Sequence, residues 1–250
     1  MRLALLSDIH ANLQAFEACV AHARAQGARR FALLGDLVGY GAEPAQVLER
    51  VMTLARDGAI VLKGNHDAMA LCPPEGVKAV GEATAAWTHQ QLDPAQRQYL
   101  SELPLVKHVE DLLLVHASAD APEKWRYVED ERSAGASLDA ALTQAGVRYV
   151  FGGHVHHQSL YYRGTGRSLM RFRPTPGVAV PMPRHRHWVA TIGSVGQPRD
   201  GDARAMYALF DMAAAQLTFH RVAYDHHAAA AAIRRAGLPE FFAQRLEEGR

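Results

Sequence analysis

Five short apolar runs in this chain end alike, each leading into an aspartate, an asparagine or a histidine. Leu3-Ala4-Leu5-Leu6 leads to Asp8-Ile9-His10, Phe31-Ala32-Leu33-Leu34 to Gly35-Asp36, and Ala59-Ile60-Val61-Leu62 to Gly64-Asn65-His66-Asp67. Leu112-Leu113-Leu114-Val115 leads to His116, and Val147-Arg148-Tyr149-Val150-Phe151 to Gly152-Gly153-His154-Val155-His156. Apolar runs of this length, bounded by turn residues, read as buried strands. In open α/β sheets, ligands lie beyond the carboxyl ends of the strands. The shared ending therefore predicts five strands that deliver polar side chains to one site. The Gly64-Asn65-His66-Asp67 quartet is expected to be a turn at its centre.

Between the runs the periodicity is helical. Asn12 is placed to cap a helix through Phe16, Cys19 and Val20 that stops at Gly27. Pro44 opens a second helix, closed by Gly58. Further helices are expected at 81–92, 94–102 and 133–145. Strand–helix alternation of this kind argues a largely parallel sheet with crossover helices. After His156 the pattern changes to short strands, expected at 159–162, 169–172, 188–192, 205–210 and 216–224 and forming a second, antiparallel sheet. Residues 225–250 read as a helical tail, capped by Asp225 and broken at Gly237-Leu238-Pro239, packed on the domain formed by 1–224. The expected architecture is α/β (α+β), two sheets face to face with helices outside.

The residue types at the strand ends set the chemistry. Asp8, His10, Asp36, Asn65, His116, His154 and His156 offer carboxylate, amide and imidazole donors without a thiolate, a set suited to hard or borderline divalent ions. Ideal strand alternation puts Asp8 and His10 on one side, and Asp36 can bridge two ions through its two oxygens. Two ions sharing a hydroxide and polarising a phosphoryl oxygen suit in-line attack on phosphorus. His66 is expected outside the metal shell, donating a proton to the leaving oxygen or stabilising phosphoryl charge, with Asp67 orienting its imidazole. Of the 14 histidines, His22, His89, His108, His220, His226 and His227 are read as surface or core residues without a catalytic role.

Charge narrows the partners. The net charge is +1, which gives no overall signature for a membrane surface or for duplex DNA. Yet from Ala140 to Arg199 there is no acid, against eight arginines, among them Arg167. Such a local field attracts anions. Arg171, Arg173, Arg184 and Arg186 flank a Pro-rich connection soon after His156 and are expected to form a lid or rim for extra phosphates, the alternative being a solvated hairpin. Arg199 is a separate candidate phosphate contact. Cys19 and Cys72 follow no disulfide or zinc spacing and read as structural thiols in a reduced cytosol. No apolar run has signal-peptide or transmembrane form, so a cytoplasmic protein is expected.

In their order, Asp8-Ile9-His10, Gly35-Asp36, Gly64-Asn65-His66-Asp67, Val115-His116 and Gly153-His154-Val155-His156 resemble the calcineurin-like metallophosphoesterases. That resemblance covers about 2–224. It implies a four-layer αββα sandwich of two mixed sheets and two divalent ions, Mn, Fe, Ni or Zn. It implies one ion on Asp8, His10, Asp36 and His156, and the other on Asp36, Asn65, His116 and His154. It is nearest to a small bacterial branch of phosphodiesterases and dinucleoside polyphosphate hydrolases, which implies a small anionic phosphate ester or nucleotide substrate. Protein serine/threonine phosphatases of this family carry an arginine after the bridging aspartate; here the loop reads Gly39-Tyr40-Gly41, against a phosphoprotein substrate. Ala11 replaces a usual glycine, and Thr191-Ile192-Gly193-Ser194 lacks a usual asparagine. The rival readings are a nuclease or cyclic-nucleotide phosphodiesterase, and a non-catalytic binding module on the same fold.

Overall fold

Strand β1 (Arg2–Leu6) is apolar on both faces because both are covered. Leu3 and Leu5 pack into the core between two sheets, while Ala4 and Leu6 pack outward against helices. The same division holds in β5 (Leu112–Val115), where Leu112 and Leu114 face the other sheet and Leu113 and Val115 face a helix. The computed structural model describes residues 1–164, 166 and 168–250, so Arg167 lies outside the described residues.

From β1 the chain runs through α1 (Leu13–Ala25), β2 (Arg30–Leu33), α2 (Pro44–Arg56) and β3 (Ile60–Val61). It continues through α3 (Asn65–Leu71), α4 (Ala85–Gln91), α5 (Pro94–Glu102) and β4 (Val106–Val109) to β5. Next come α6 (Glu131–Ala141), β6 (Tyr149–Gly152), β7 (Gln158–Arg163), β8 (Leu169–Phe172), β9 (Ala179–Pro181) and β10 (His187–Ile192). The chain closes with β11 (Ala205–Asp211), β12 (Gln216–Val222), α7 (His226–Arg235) and α8 (Glu240–Glu248). One six-stranded sheet has the order β3-β2-β1-β11-β12-β9, the other β4-β5-β6-β10-β7-β8. With helices on both outer faces this is the four-layer sandwich of two mixed sheets.

The strands do not divide along the chain as the alternation predicts. β1, β2 and β3 are parallel in the first sheet, but β5 and β6 are parallel in the second. The late strands form no sheet of their own. β11, β12 and β9 extend the first sheet antiparallel, and β10 and β7 continue the second. Local periodicity reports whether a strand is buried, and the partner is chosen by packing. Here the long crossover through α3, α4 and α5 carries the chain from one layer to the next. The quartet at 64–67 is also not a plain turn: it opens α3, with Gly64 as cap and the Asp67 carboxylate closing back on the Gly64 N–H at 2.8 Å.

Helix α1 begins where the chain leaves the site. Asn12 Oδ1 accepts from the Ala15 N–H at 3.1 Å, and Asn12 Nδ2 donates to the Gly196 carbonyl at 2.9 Å and to the Tyr224 hydroxyl at 3.2 Å. One buried amide thus caps a helix and ties two distant segments beside it. Asn12→Ala is expected to cost about 2–3 kcal/mol, a cap plus buried hydrogen bonds, measured by urea unfolding.

The tail packs back. Ala229, Ile233, Leu238, Phe242 and Leu246 form a small core with Tyr40, and the Phe242 and Tyr40 rings stack with centroids 5.0 Å apart. No helix among the described residues is long and apolar enough to cross a membrane.

Candidate metal centre

Strands from both sheets converge at one edge. Asp8 and His10 follow β1, Asp36 follows β2, and Asn65 and His66 form the first turn of α3 beyond β3. His116 follows β5, and His154 and His156 follow β6. Backbone hydrogen bonds lace these loops: Asp8 N–H to Gly35 O at 3.0 Å, His10 N–H to Asp36 O at 2.9 Å, and Gly153 N–H to His116 O at 2.7 Å. Asp8, His10, Asp36, His66, His116, His154 and His156 are all buried.

The backbone here is not extended. Asp8, His10, Ala11, Asp36, Tyr40, His154 and His156 all hold positive φ, between 50° and 67°. Asp8 and His10 therefore meet through left-handed turns and not through strand alternation. Ala11, for which the family resemblance implies a glycine, adopts φ 50° itself. Strain of this kind persists where surrounding structure enforces it, and it gathers at functional sites.

Ligand atoms of three groups lie within 4.8 Å of one another: Asp8, His10 and His156; His10, Asp36 and His66; Asp36, His116 and His154. Asp36 and His10 each belong to two of them. The hydrogen-bond partners show which nitrogen is free. His10 Nδ1 lies 3.3 Å from Val38 O, His156 Nδ1 2.6 Å from Gln197 O, and His116 Nδ1 2.9 Å from Leu34 O. A carbonyl only accepts, so each Nδ1 carries a proton. The neutral rings of His10 and His156 turn an Nε2 lone pair inward, and His116 Nε2 is aimed the same way, free to act as a donor once a cation displaces its proton. The Nε2 atoms of His10 and His156 then face each other at 3.1 Å. His116 Nε2 faces Asn65 Oδ1 at 3.2 Å and Asp36 Oδ2 at 3.3 Å. Asp8 Oδ1 and His154 Nε2 are buried with no hydrogen-bond partner among the described residues. Converging lone pairs and orphaned acceptors in a buried pocket are what a cation satisfies, so these residues fit divalent metal.

The electrostatics agree. Burial holds His10, His66 and His156 below the ordinary imidazole value, and it takes His154 down to about 4, leaving these rings neutral at pH 7, as ligands must be. Burial alone would also depress His116, but the Asp36 carboxylate lifts it to about 9. Burial works to raise Asp8 and Asp36, and their neighbouring imidazoles outweigh it and keep both carboxyls ionised. The cluster draws positive charge.

Asp67 does not orient His66. Its Oδ1 accepts from the Leu37 and Val38 N–H groups at 2.9 and 3.1 Å, and its Oδ2 from Gly64. It fastens the loop after Asp36 to the start of α3, and burial together with the Asp36 charge pushes it up to about 7. His66 is held by its backbone, whose N–H donates to Asp36 Oδ1 at 2.8 Å, and by Tyr40, whose ring lies 4.3 Å from the His66 ring and 4.3 Å from that of His10. Gly64 is fixed by space: at φ −105° any residue could stand there, but a methyl group would overlap Asp36 Oδ1 and the Asp36 nitrogen. Gly64→Ala is expected to destabilise by about 1–3 kcal/mol and to cut metal-dependent turnover at least tenfold, read by thermal melting and kinetics.

The arginines separate. In the register of β7 with β10, Gln158 pairs with Ile192 near the site and Arg163 with His187 at the far end. Arg184 and Arg186, just before β10, therefore lie at the far end; Arg184 lies 3.9 Å from Asp111 and Arg186 over the Tyr162 ring. Arg171 and Arg173 line a concavity of about 330 Å³ with His157, Ser159 and Arg221. Arg199 reaches the site, donating to the Tyr40 hydroxyl at 3.4 Å.

A groove of about 440 Å³ opens beside Asn65 and His154, walled by Met69, Cys72, Trp125 and Tyr127. The Tyr127 ring lies 4.2 Å from the His154 ring, the Trp125 ring 5.8 Å from that of His116. Trp125 is held in a left-handed turn at φ 50°, and Tyr127 is 53% exposed. No sequence motif marks these residues, and Cys72 is exposed on the groove wall instead of sitting in a structural core.

The chain resembles known proteins along its length. A calcineurin-like phosphoesterase superfamily domain matches residues 1–215. A metallophosphoesterase from Sphaerobacter thermophilus is 34% identical, with a TM-score of 0.86 over 100% of this chain and 99% of that one. A hypothetical protein from Pyrococcus horikoshii shares the fold at 20% identity, with a TM-score of 0.78 over 100% and 98%. An uncharacterized protein of Methanocaldococcus jannaschii is 28% identical over 99% of this chain and 98% of its own length. With the family's domain matched over most of its length and the strand-end cluster in place, this chain belongs to the calcineurin-like phosphoesterase superfamily.

Proposed function

We propose that this protein is a dinuclear metal-dependent phosphodiesterase acting on a small, nucleotide-like phosphate ester. The observation that carries the reading is the set of inward-facing donors, with the Nε2 atoms of His10 and His156 opposed at 3.1 Å and Asp36 common to two groups. Asp8, His10, Asp36 and His156 would hold one ion, and Asp36, Asn65, His116 and His154 the other. When bound, two such ions activate water for attack on phosphorus and polarise a phosphoryl oxygen. The carbonyls of Val38, Leu34 and Gln197 fix the tautomers of His10, His116 and His156. His66, buried beside the cluster and held neutral, would present an N–H to the phosphoryl group.

The aromatic groove supports a planar substrate moiety, since Trp125 and Tyr127 offer ring faces beside His116 and His154. Arg171 and Arg173, which line the concavity beside His157, would meet an anionic extension of the substrate. The absence of an arginine in Gly39-Tyr40-Gly41 still disfavours phosphoproteins.

Chelator-stripped protein reloaded with Mn²⁺ is expected to hydrolyse bis-p-nitrophenyl phosphate, and the stripped protein is not. Equal rates with and without metal, or no turnover in either state, would count against the reading.

A further inference from the structure

The tail helix α8 places a second arginine beside Arg199. Arg199 Nε and Nη2 donate to Gln197 Oε1 at 3.2 and 2.9 Å, and Arg245 Nη1 donates to the same oxygen at 3.2 Å. Two guanidinium groups thus converge on one neutral amide oxygen. No carboxylate of the described residues pairs with either; the nearby Asp200 is bound by Arg221 and Glu247 by Arg234. Burial and the Arg199 charge both press Arg245 below its ordinary value.

The pair adjoins the metal centre through two residues. Gln197 carries the carbonyl that holds His156 Nδ1. Tyr40 lies under the Arg199 guanidinium at 5.7 Å and against the rings of His10 and His66 at 4.3 Å. The two side chains are braced from behind, Arg245 over the Phe241 ring at 4.5 Å and Tyr40 against Phe242. Both arginines remain partly open to solvent.

From this juxtaposition we infer that Arg199 and Arg245 form a subsite for a second anionic group of the substrate, a phosphate monoester distinct from the phosphorus attacked at the metal centre. Like charges held together need a counter-ion, and guanidinium forks match phosphate oxygens in pairs. The inference rests on the phosphodiesterase reading for its substrate and makes the tail part of the binding site. The aromatic groove adjoins Asn65 and His154, whereas the arginines adjoin His10 and His156 by way of Tyr40 and Gln197. A substrate could therefore extend from the metal centre in both directions.

The test compares two chromogenic diesters that differ by one phosphate: thymidine 5′-(p-nitrophenyl phosphate) with and without a 3′-phosphate. With metal-loaded protein, kcat/KM is expected to favour the 3′-phosphorylated compound about tenfold. Arg245→Gln and Arg199→Gln should each bring that ratio close to one, Arg245→Lys should retain part of it, and Arg186→Gln should leave it intact. Calorimetric titration of chelator-treated protein with the same compounds reads the preference without turnover. A preference in the titration that Arg245→Gln removes, in a protein that turns over neither compound, would sustain the arginine subsite and count against the catalytic reading. A preference absent from both measurements, or undiminished in Arg245→Gln, would overturn the subsite.

Discussion

Replacing His66 with alanine is expected to lower kcat about 10²–10³-fold and to leave the bound metal unchanged. The ring is 7% exposed, and burial holds it below the ordinary imidazole value. Nearby cations would depress it further, so the neutral imidazole is the working form near pH 7. A neutral imidazole is a good hydrogen-bond donor and a poor acid. The loss should therefore be similar for a p-nitrophenolate leaving group and for a nucleoside alcohol, since phosphoryl charge develops in both reactions. A loss confined to the alcohol would instead assign proton donation. An unchanged kcat on both would remove His66 from the chemistry. Asp67→Asn makes a useful contrast, because Asp67 holds the loops and not the His66 ring.

Replacing Asp36 with asparagine is expected to weaken metal binding more than about 10²-fold, beyond the usual effect of losing a residue that merely orients a ligand. Asp36 Oδ2 lies 3.3 Å from His116 Nε2 and 3.8 Å from His10 Nε2, so one oxygen faces both halves of the cluster. Asparagine keeps the shape and the acceptor for the His66 N–H, and it removes the charge. Metal content after dialysis and turnover should fall together, while the circular dichroism of the chelator-treated variant stays that of the native fold. Retention of full metal content would show that Asp36 is not shared.

Much of the site was legible because its residues sit at the ends of buried strands, and buried strands write themselves as continuous apolar runs. The side chains of Asp8, Asp36, His116 and His154 could be placed from that signal alone. The pairing of β5 and β6 in a different sheet from β1 could not, because a run such as Leu112-Leu113-Leu114-Val115 looks the same in either layer. The quartet at 64–67 carried a helix start, Gly64 with Asp67 three residues on, which its position after a strand obscured. Asp67 was expected to serve His66, yet the backbone N–H groups of Leu37 and Val38, thirty residues away, claim its oxygens. Distance along the strand separates Arg184 and Arg186 from the site, and only the register of β7 and β10 shows it. Arg245 and Tyr127 had no local signal at all. They reach the centre through the packing of α8 on Tyr40 and through the turn at Trp125.

The number of ions per chain tests the central claim most directly. Chelator-stripped protein would be titrated with Mn²⁺, following bound metal by plasma mass spectrometry and bis-p-nitrophenyl phosphate hydrolysis in the same samples. Turnover is expected to rise with the second ion and to level off at two per chain. A plateau at one ion, or full turnover before any metal is bound, would contradict the dinuclear site.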